Sequence, residues 1–253
     1  MTGTWLRHPH GRSHGRSRPG LARTGWIRAG AVAGVAGPAA FTLAWLVSAA
    51  RQRGLSFATP QISGLAADNA RDPWLMISGF LLLGGGALGF GAALSAALGG
   101  RRQAGPGPAV IQAAGVLAIA AGLLRRDHVL LTSGAESWHN RAHDVVSAAA
   151  YLLLVAAPAL LARRLRSDRR WRGLAAPLVA AAAVSAALLV TFYAAPHNSW
   201  DATLQRIAVT LPLAAIAAVA VRLAREPGAF AAVSPGDGDA GRHAHPGGSG
   251  QPE

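Results

Sequence analysis

Six long apolar stretches, none with an acidic or basic residue in its middle, constrain this chain more than any other feature. They run at about 29–50, 74–98, 108–124, 145–162, 174–195 and 206–221 of the 253 residues. Each approaches the ~20 residues that an α-helix needs to cross a hydrocarbon core of ~30 Å. A single such stretch would suit a buried core helix, but six leave too little polar chain to wrap them in water. The expected fold is therefore all-α: a polytopic membrane protein built as a bundle of six transmembrane helices. Lipid-exposed open strands are excluded, because their backbone groups have no partner in hydrocarbon. Three parts follow: an arginine-rich tail at 1–28, expected to be disordered, a membrane domain at 29–223, and a Gly/Pro/Asp/His-rich tail at 224–253. The first stretch is too long for the apolar core of a cleavable leader, so it reads as an uncleaved span.

Charge gives the expected orientation. All 24 basic residues are arginine and the formal net charge is +13. On a soluble domain that surplus would point to nucleic acid; between membrane spans it points to topology, and no nucleic-acid partner is expected. Seventeen of the 24 arginines fall in the amino-terminal tail, in the second and fourth connections and in the segment from Arg222 onward. The positive-inside rule then places both termini in the cytoplasm of a multi-pass plasma-membrane protein. The partners expected are membrane lipids, with no protein partner defined. The chain has no cysteine, which excludes disulfides, thiol catalysis and thiolate metal sites.

Small residues dominate the spans. The run Gly84-Gly85-Gly86, followed by Gly89 and Gly91, predicts bare backbone on one side of the second helix and a close helix–helix approach there. Asp72-Pro73 reads as the start of that helix, with Asp at the N-cap and Pro at the first helical position. Ser133 with Glu136 has the spacing of a capping box and predicts that the fourth span begins near Gly134. Asn198 with Asp201 repeats that spacing before the last span.

The chemistry collects in the outer connections. Asp127, His139, His143, Asp144, His197 and Asp201 are supplied from two of them, whereas the inner ones hold mainly arginine. His139 and His143, four apart on a helix, share one face. They are the only weak candidates for metal ligands. No metal or cofactor is expected. Arg206 stands at the outer edge of the last apolar run, where a charge is normally paired; Asp127 or Asp201 is the expected partner. Asp127, His139, Gln205 and Arg206 form the candidate ligand-binding set, with His143, Asp144, His197 and Asp201 as additional pocket candidates. No catalytic residue is assigned.

The order of these short motifs resembles a family. Gly122-Leu123-Leu124-Arg125-Arg126-Asp127, then Gly134 and His139-Asn140, resembles the Gly-Leu-Phe-x-x-Asp … Gly … His signature of the domain of unknown function 998 family. Ile62-Ser63-Gly64-Leu65, Trp74-Leu75-Met76 with a glycine-bearing second span, and Leu204-Gln205-Arg206 fit it too. The likeness covers about residues 29–223. It implies a bacterial six-helix membrane protein and no assigned activity. Asp127, His139, Gln205 and Arg206 match the family pattern, whereas His143 and His197 rest on spacing. Leu124 replaces the usual Phe, and Arg125-Arg126 a Pro-Thr-like pair. A fainter likeness is to Frag1/DRAM/Sfk1-type six-span proteins. The function expected is binding of a lipid headgroup or small anionic ligand in an outward-facing polar pocket. The alternatives are a membrane-embedded hydrolase or transferase acting on lipid, with or without a metal, and, more weakly, a small-molecule transporter.

Overall fold

The computed structural model describes residues 19–130, 136–194 and 200–226. Seven helices carry the fold: α1 (Pro19–Arg51), α2 (Pro73–Ala97), a single-turn α3 (Arg101–Ala104), α4 (Gly107–Leu123), α5 (Trp138–Leu165), α6 (Ala175–Ala194) and α7 (Asp201–Arg225). No strand occurs among the described residues. Five of the helices are long and apolar enough to cross a membrane, and α4 is a shorter apolar helix of 17 residues. At ~1.5 Å per residue α4 spans roughly 25 Å, most of a hydrocarbon core. Large apolar side chains face outward along these helices: Leu152 is 71% exposed and Val190 67%. In water that surface would be untenable; against lipid it costs nothing. The chain is a multi-pass integral membrane protein, a helical bundle of about six spans.

The helices do not all start as the sequence suggests, and of α2, α4, α5 and α7 only α5 carries a side-chain cap. The first helix begins at Pro19, so residues 19–28, expected as tail, are helical. Ser133, Gly134 and Ala135 lie outside the described residues, but Glu136 and Ser137 precede α5, which starts at Trp138 instead of near Gly134. The working cap is Ser137, whose Oγ accepts from the backbone N–H of Asn140 at 3.2 Å. Asp72 does stand just before Pro73 at the head of α2, yet its side chain makes no cap bond. Its carboxylate takes the Arg51 guanidinium instead, at 2.7 Å. Asn198 is outside the described residues, and α7 begins at Asp201 without a side-chain cap.

In cross-section α1, α2, α4, α5 and α7 close a ring, each packing on the next and α7 returning to α1, while α6 lies outside against α5 and α7. Glycine permits the tightest crossings. A Cβ on Gly86 would lie 2.6 Å from the Ala33 carbonyl and 3.1 Å from Gly37 Cα, so α2 meets α1 backbone to backbone. A Cβ on Gly91 would lie 2.7 Å from the Pro108 carbonyl of α4, and one on Gly115 would lie 2.8 Å from the Gly84 carbonyl. The glycine run thus serves two faces of α2, not the one its clustering suggests, because successive helical positions point ~100° apart. Gly85 falls between them and faces open space.

Hydrogen bonds identify the two ends of the bundle. Arg23 donates to the Ala96 carbonyl (3.0 Å), Arg28 to Ala224 (3.3 Å) and Arg164 to Gln103 (2.7 Å). They gather the start of α1 with the ends of α2, α5 and α7. This basic end holds twelve described arginines against two described acids, Asp168 and Glu226. The opposite cap end, carrying loop 52–72 and residues 124–130, is nearly balanced, with seven described arginines and six described acids. Apolar cores back both ends: Phe90, Leu94, Leu161, Trp171 and Leu223 at the basic end, and Phe41, Trp45, Met76 and Leu213 toward the cap.

Candidate functional site

Loop 52–72 does not arch into solvent. Its apolar segment Ile62-Ser63-Gly64-Leu65-Ala66-Ala67 turns inward as a short 3₁₀ helix and is fully buried. Burying irregular backbone requires partners for its polar groups, and α7 supplies them. Gln205 Oε1 accepts from the Ile62 N–H at 2.7 Å, and the Gln205 amide donates to the Tyr151 hydroxyl at 2.9 Å. Arg206 donates through Nη1 to the Phe57 carbonyl (2.7 Å) and through Nη2 to the Pro60 carbonyl (2.8 Å). The guanidinium also lies 5.0 Å from the Trp45 ring and 4.9 Å from that of Phe57. Neither expected partner, Asp127 nor Asp201, pairs with it, and among the described residues Arg206 meets no carboxylate. A planar fork fits two carbonyls pointing the same way, and the aromatic faces stabilise the charge in place of an anion.

The second loop packs directly on the first. A Cβ on Gly64 would collide with the Val129 carbonyl, so only glycine allows this approach. Asp68 N–H donates to the Arg126 carbonyl at 3.0 Å, Val129 N–H to Asn69 Oδ1 at 2.7 Å, and Arg125 pairs with Asp68 at 2.8 Å. Buried Arg126 donates to Gln61 at 3.1 Å and has Asp144 at 3.8 Å.

Asp127 clasps that loop to the head of α5. It accepts from the Ser137 hydroxyl at 2.6 Å and the Ser137 N–H at 2.9 Å. The His139 ring joins them, Nδ1 lying 2.9 Å from Ser137 Oγ, 3.2 Å from the Arg125 carbonyl and 3.5 Å from Asp127 Oδ1. The carbonyl can only accept, so Nδ1 carries the proton. Serine, histidine and aspartate meet here, yet not as a nucleophile–base relay. Such a relay runs through both imidazole nitrogens, whereas Ser137 and Asp127 both sit on the Nδ1 side.

The Ser137 hydroxyl, then the Ser137 N–H, hold the Asp127 carboxyl below its ordinary range. A carboxyl so lowered contributes stability above the ordinary value of about 4 and loses it as pH falls through the lowered one. In wild type the Ser137 amide is therefore expected to resist hydrogen exchange down to about pH 4 and to lose protection only below it. In Asp127→Asn it should exchange quickly at neutral pH too. Superimposable exchange profiles for the two proteins would contradict the clasp.

From the clasp a polar stripe descends α5. Asn140, His143, Ser147 and Tyr151 recur at intervals of three and four, which places them on one face. His143 is fully buried and its Nδ1 faces the Ala121 carbonyl at 2.9 Å and the Leu124 carbonyl. It thereby satisfies carbonyls at the end of α4 that have no intrahelical partner. Nε2 is left to accept from the Ser147 hydroxyl at 3.1 Å. His139 and His143 do share a helix as expected, but their rings take different partners. Beside Ser147 and Tyr151 opens a narrow axial slot of about 70 Å³, lined by α1, α2, α4, α5 and α7. Its lining is apolar except for Ser147 and Tyr151.

Of the candidate residues, Asp127 and His139 meet each other, and Gln205 and Arg206 together hold loop 52–72. Asp144 joins the halves through Arg126 and through Asn140 (3.4 Å). Asp201 is buried at the start of α7, and His197 lies outside the described residues. Sequence reasoning missed Ser137, Tyr151, Gln61 and Trp45. For Ser147 and Tyr151 a signal existed: polar residues four and eight positions after His143 in an otherwise apolar stretch.

Fold and site together define a class: a multi-pass helical membrane protein whose cap end is closed by two interlocked loops over an apolar slot. The chain belongs to the family described as Protein of unknown function (DUF998), whose model matches residues 35–222. No curated protein and no solved structure matches it.

Proposed function

We propose that this protein holds a lipid-like amphiphile without transforming it, the hydrocarbon part lying in the axial slot and the polar head meeting the underside of the cap. The observation that carries this reading is the slot: hydrocarbon-lined, on the bundle axis, with its two hydroxyls, Ser147 and Tyr151, on the stripe that descends from the cap. Protein interiors are close-packed, and an apolar void left on the axis favours an apolar guest over water. The Ser147 and Tyr151 hydroxyls suit a small polar or anionic head. Gln205 and Arg206 act as the roof's fasteners and Asp127 with His139 as its clasp; none of the four needs to transfer a proton. The basic end faces the cytoplasm of a bacterial cell, and the cap faces outward.

Filling the slot tests the reading. Ala150 lines it, while Leu152, two residues on, faces lipid. Native mass spectrometry of protein extracted in mild detergent should find one retained lipid fewer on Ala150→Phe than on wild type and on Leu152→Phe. Equal retention by all three would exclude the slot as the site, and a lipid returned with altered chemistry would favour the hydrolase or transferase alternative.

A further inference from the structure

A separate groove lies at the other end of the molecule, and nothing in the slot reading depends on it. Where the end of α5 diverges from the start of α6 lies an open groove of about 570 Å³. Small side chains floor it: Ala162 on α5, and Ala175, Val179 and Ala180 on α6. Arg163 and Arg166 rim it. They stand three apart, hence on neighbouring positions of one helix face, and both are exposed. Arg164, between them, is turned away to the Gln103 carbonyl (2.7 Å).

Neither rim arginine has a hydrogen bond or ion pair among the described residues, in contrast to every arginine that builds the cap's buried network. The one acid in the connection is Asp168, whose carboxylate accepts from the Arg170 N–H at 2.9 Å. The connection itself is fixed, because Trp171 is fully buried beneath it with the Arg222 guanidinium 5.3 Å from its ring. Arg163 and Arg166, with Arg169 and Arg172 beside them, therefore present unneutralised charge around an apolar floor at the end of a helix long and apolar enough to span a membrane.

We propose that this groove binds one phospholipid with an anionic headgroup from the leaflet adjoining the basic end, its phosphate against Arg163 and Arg166 and an acyl chain along Ala162, Val179 and Ala180. Guanidinium forks match phosphate oxygens, and an arginine near the membrane surface adds appreciably to attraction for anionic lipid. Free phosphate offers the same charge but nothing for the apolar floor, which is why a lipid is the occupant.

The test is a titration of the full chain in detergent with phosphatidylglycerol, or with phosphatidylcholine of the same chains, counting adducts by native mass spectrometry. Wild type should take one phosphatidylglycerol roughly tenfold or more tighter than phosphatidylcholine. Arg163→Gln/Arg166→Gln should abolish that preference, whereas Arg101→Gln/Arg102→Gln, on the same end but off the groove, should keep it. Widening the side chain at the floor with Val179→Trp should weaken binding while leaving both rim charges. Equal losses in the two double variants would mean a diffuse basic surface and overturn the site. No preference in wild type would overturn it as well. Full competition by inorganic phosphate, with Val179→Trp unaffected, would overturn the lipid assignment. Ala150→Phe should leave this adduct in place, so failure here and failure of the slot reading are distinguishable.

Discussion

Arg206→Ala is expected to unfasten the cap. The substitution strands the part-buried Phe57 carbonyl and the buried Pro60 carbonyl that the guanidinium now satisfies at 2.7 and 2.8 Å, and it empties the space between Trp45 and Phe57. Hydrogen bonds from a charged donor contribute about 1.5–3 kcal/mol each, so the loss should be about 3–5 kcal/mol. For a chain of this size that is on the order of 10 °C in midpoint. Loop 52–72 should also become a protease target, since Arg53 and Arg71 are exposed within it. Arg206→Lys should recover part of the effect, because an ammonium keeps the charge but lacks the fork that reaches both carbonyls. Thermal unfolding in detergent, with trypsin cleavage at Arg53 followed in parallel, measures both consequences. An unchanged midpoint together with an uncut loop would show that the fastening is not there.

The second large effect separates adjacent glycines. Gly86→Leu should prevent α1 and α2 from closing, because the atoms its Cβ would meet are backbone: the Ala33 carbonyl at 2.6 Å and Gly37 Cα at 3.1 Å. Overpacking of a well-packed site costs about 1–3 kcal/mol when side chains can yield, and backbone yields less. A marked fall in yield of monodisperse protein and in midpoint follows. Gly85→Leu should be tolerated, because nothing lies within 4 Å of its Cβ position and the residue is exposed. The same substitution one residue apart thus reads helix phase directly, and similar behaviour of the two variants would contradict the crossing.

These two residues also mark how far the sequence can be read. The glycine run announced close approach, yet clustering alone could not assign Gly84 and Gly91 to α4, Gly86 to α1 and Gly85 to neither. Arg206 was conspicuous as a charge at the edge of an apolar run, and a carboxylate was the natural partner to seek. Its real partners are main-chain carbonyls 149 and 146 residues away, and every residue has a carbonyl, so nothing in the sequence distinguishes these two. Ser137 displaced the expected Ser133–Glu136 cap for a similar reason: Asp127, ten residues back, holds Ser137 in place, and that contact exists only once the loop has folded. The stripe His143, Ser147, Tyr151 was legible from spacing, because helical periodicity carries through any apolar surroundings.

What the sequence by itself determined is the membrane bundle, its approximate spans and the concentration of arginine at one end. Those are sums over neighbouring residues, and hydropathy and charge add locally whatever the tertiary path. Only the tertiary structure decided that the conspicuous polar residues fasten two loops over an apolar slot, and that two arginines at the far end meet no partner among the described residues. Which donor finds which acceptor depends on where distant segments come to lie, and that is fixed by packing across the whole bundle.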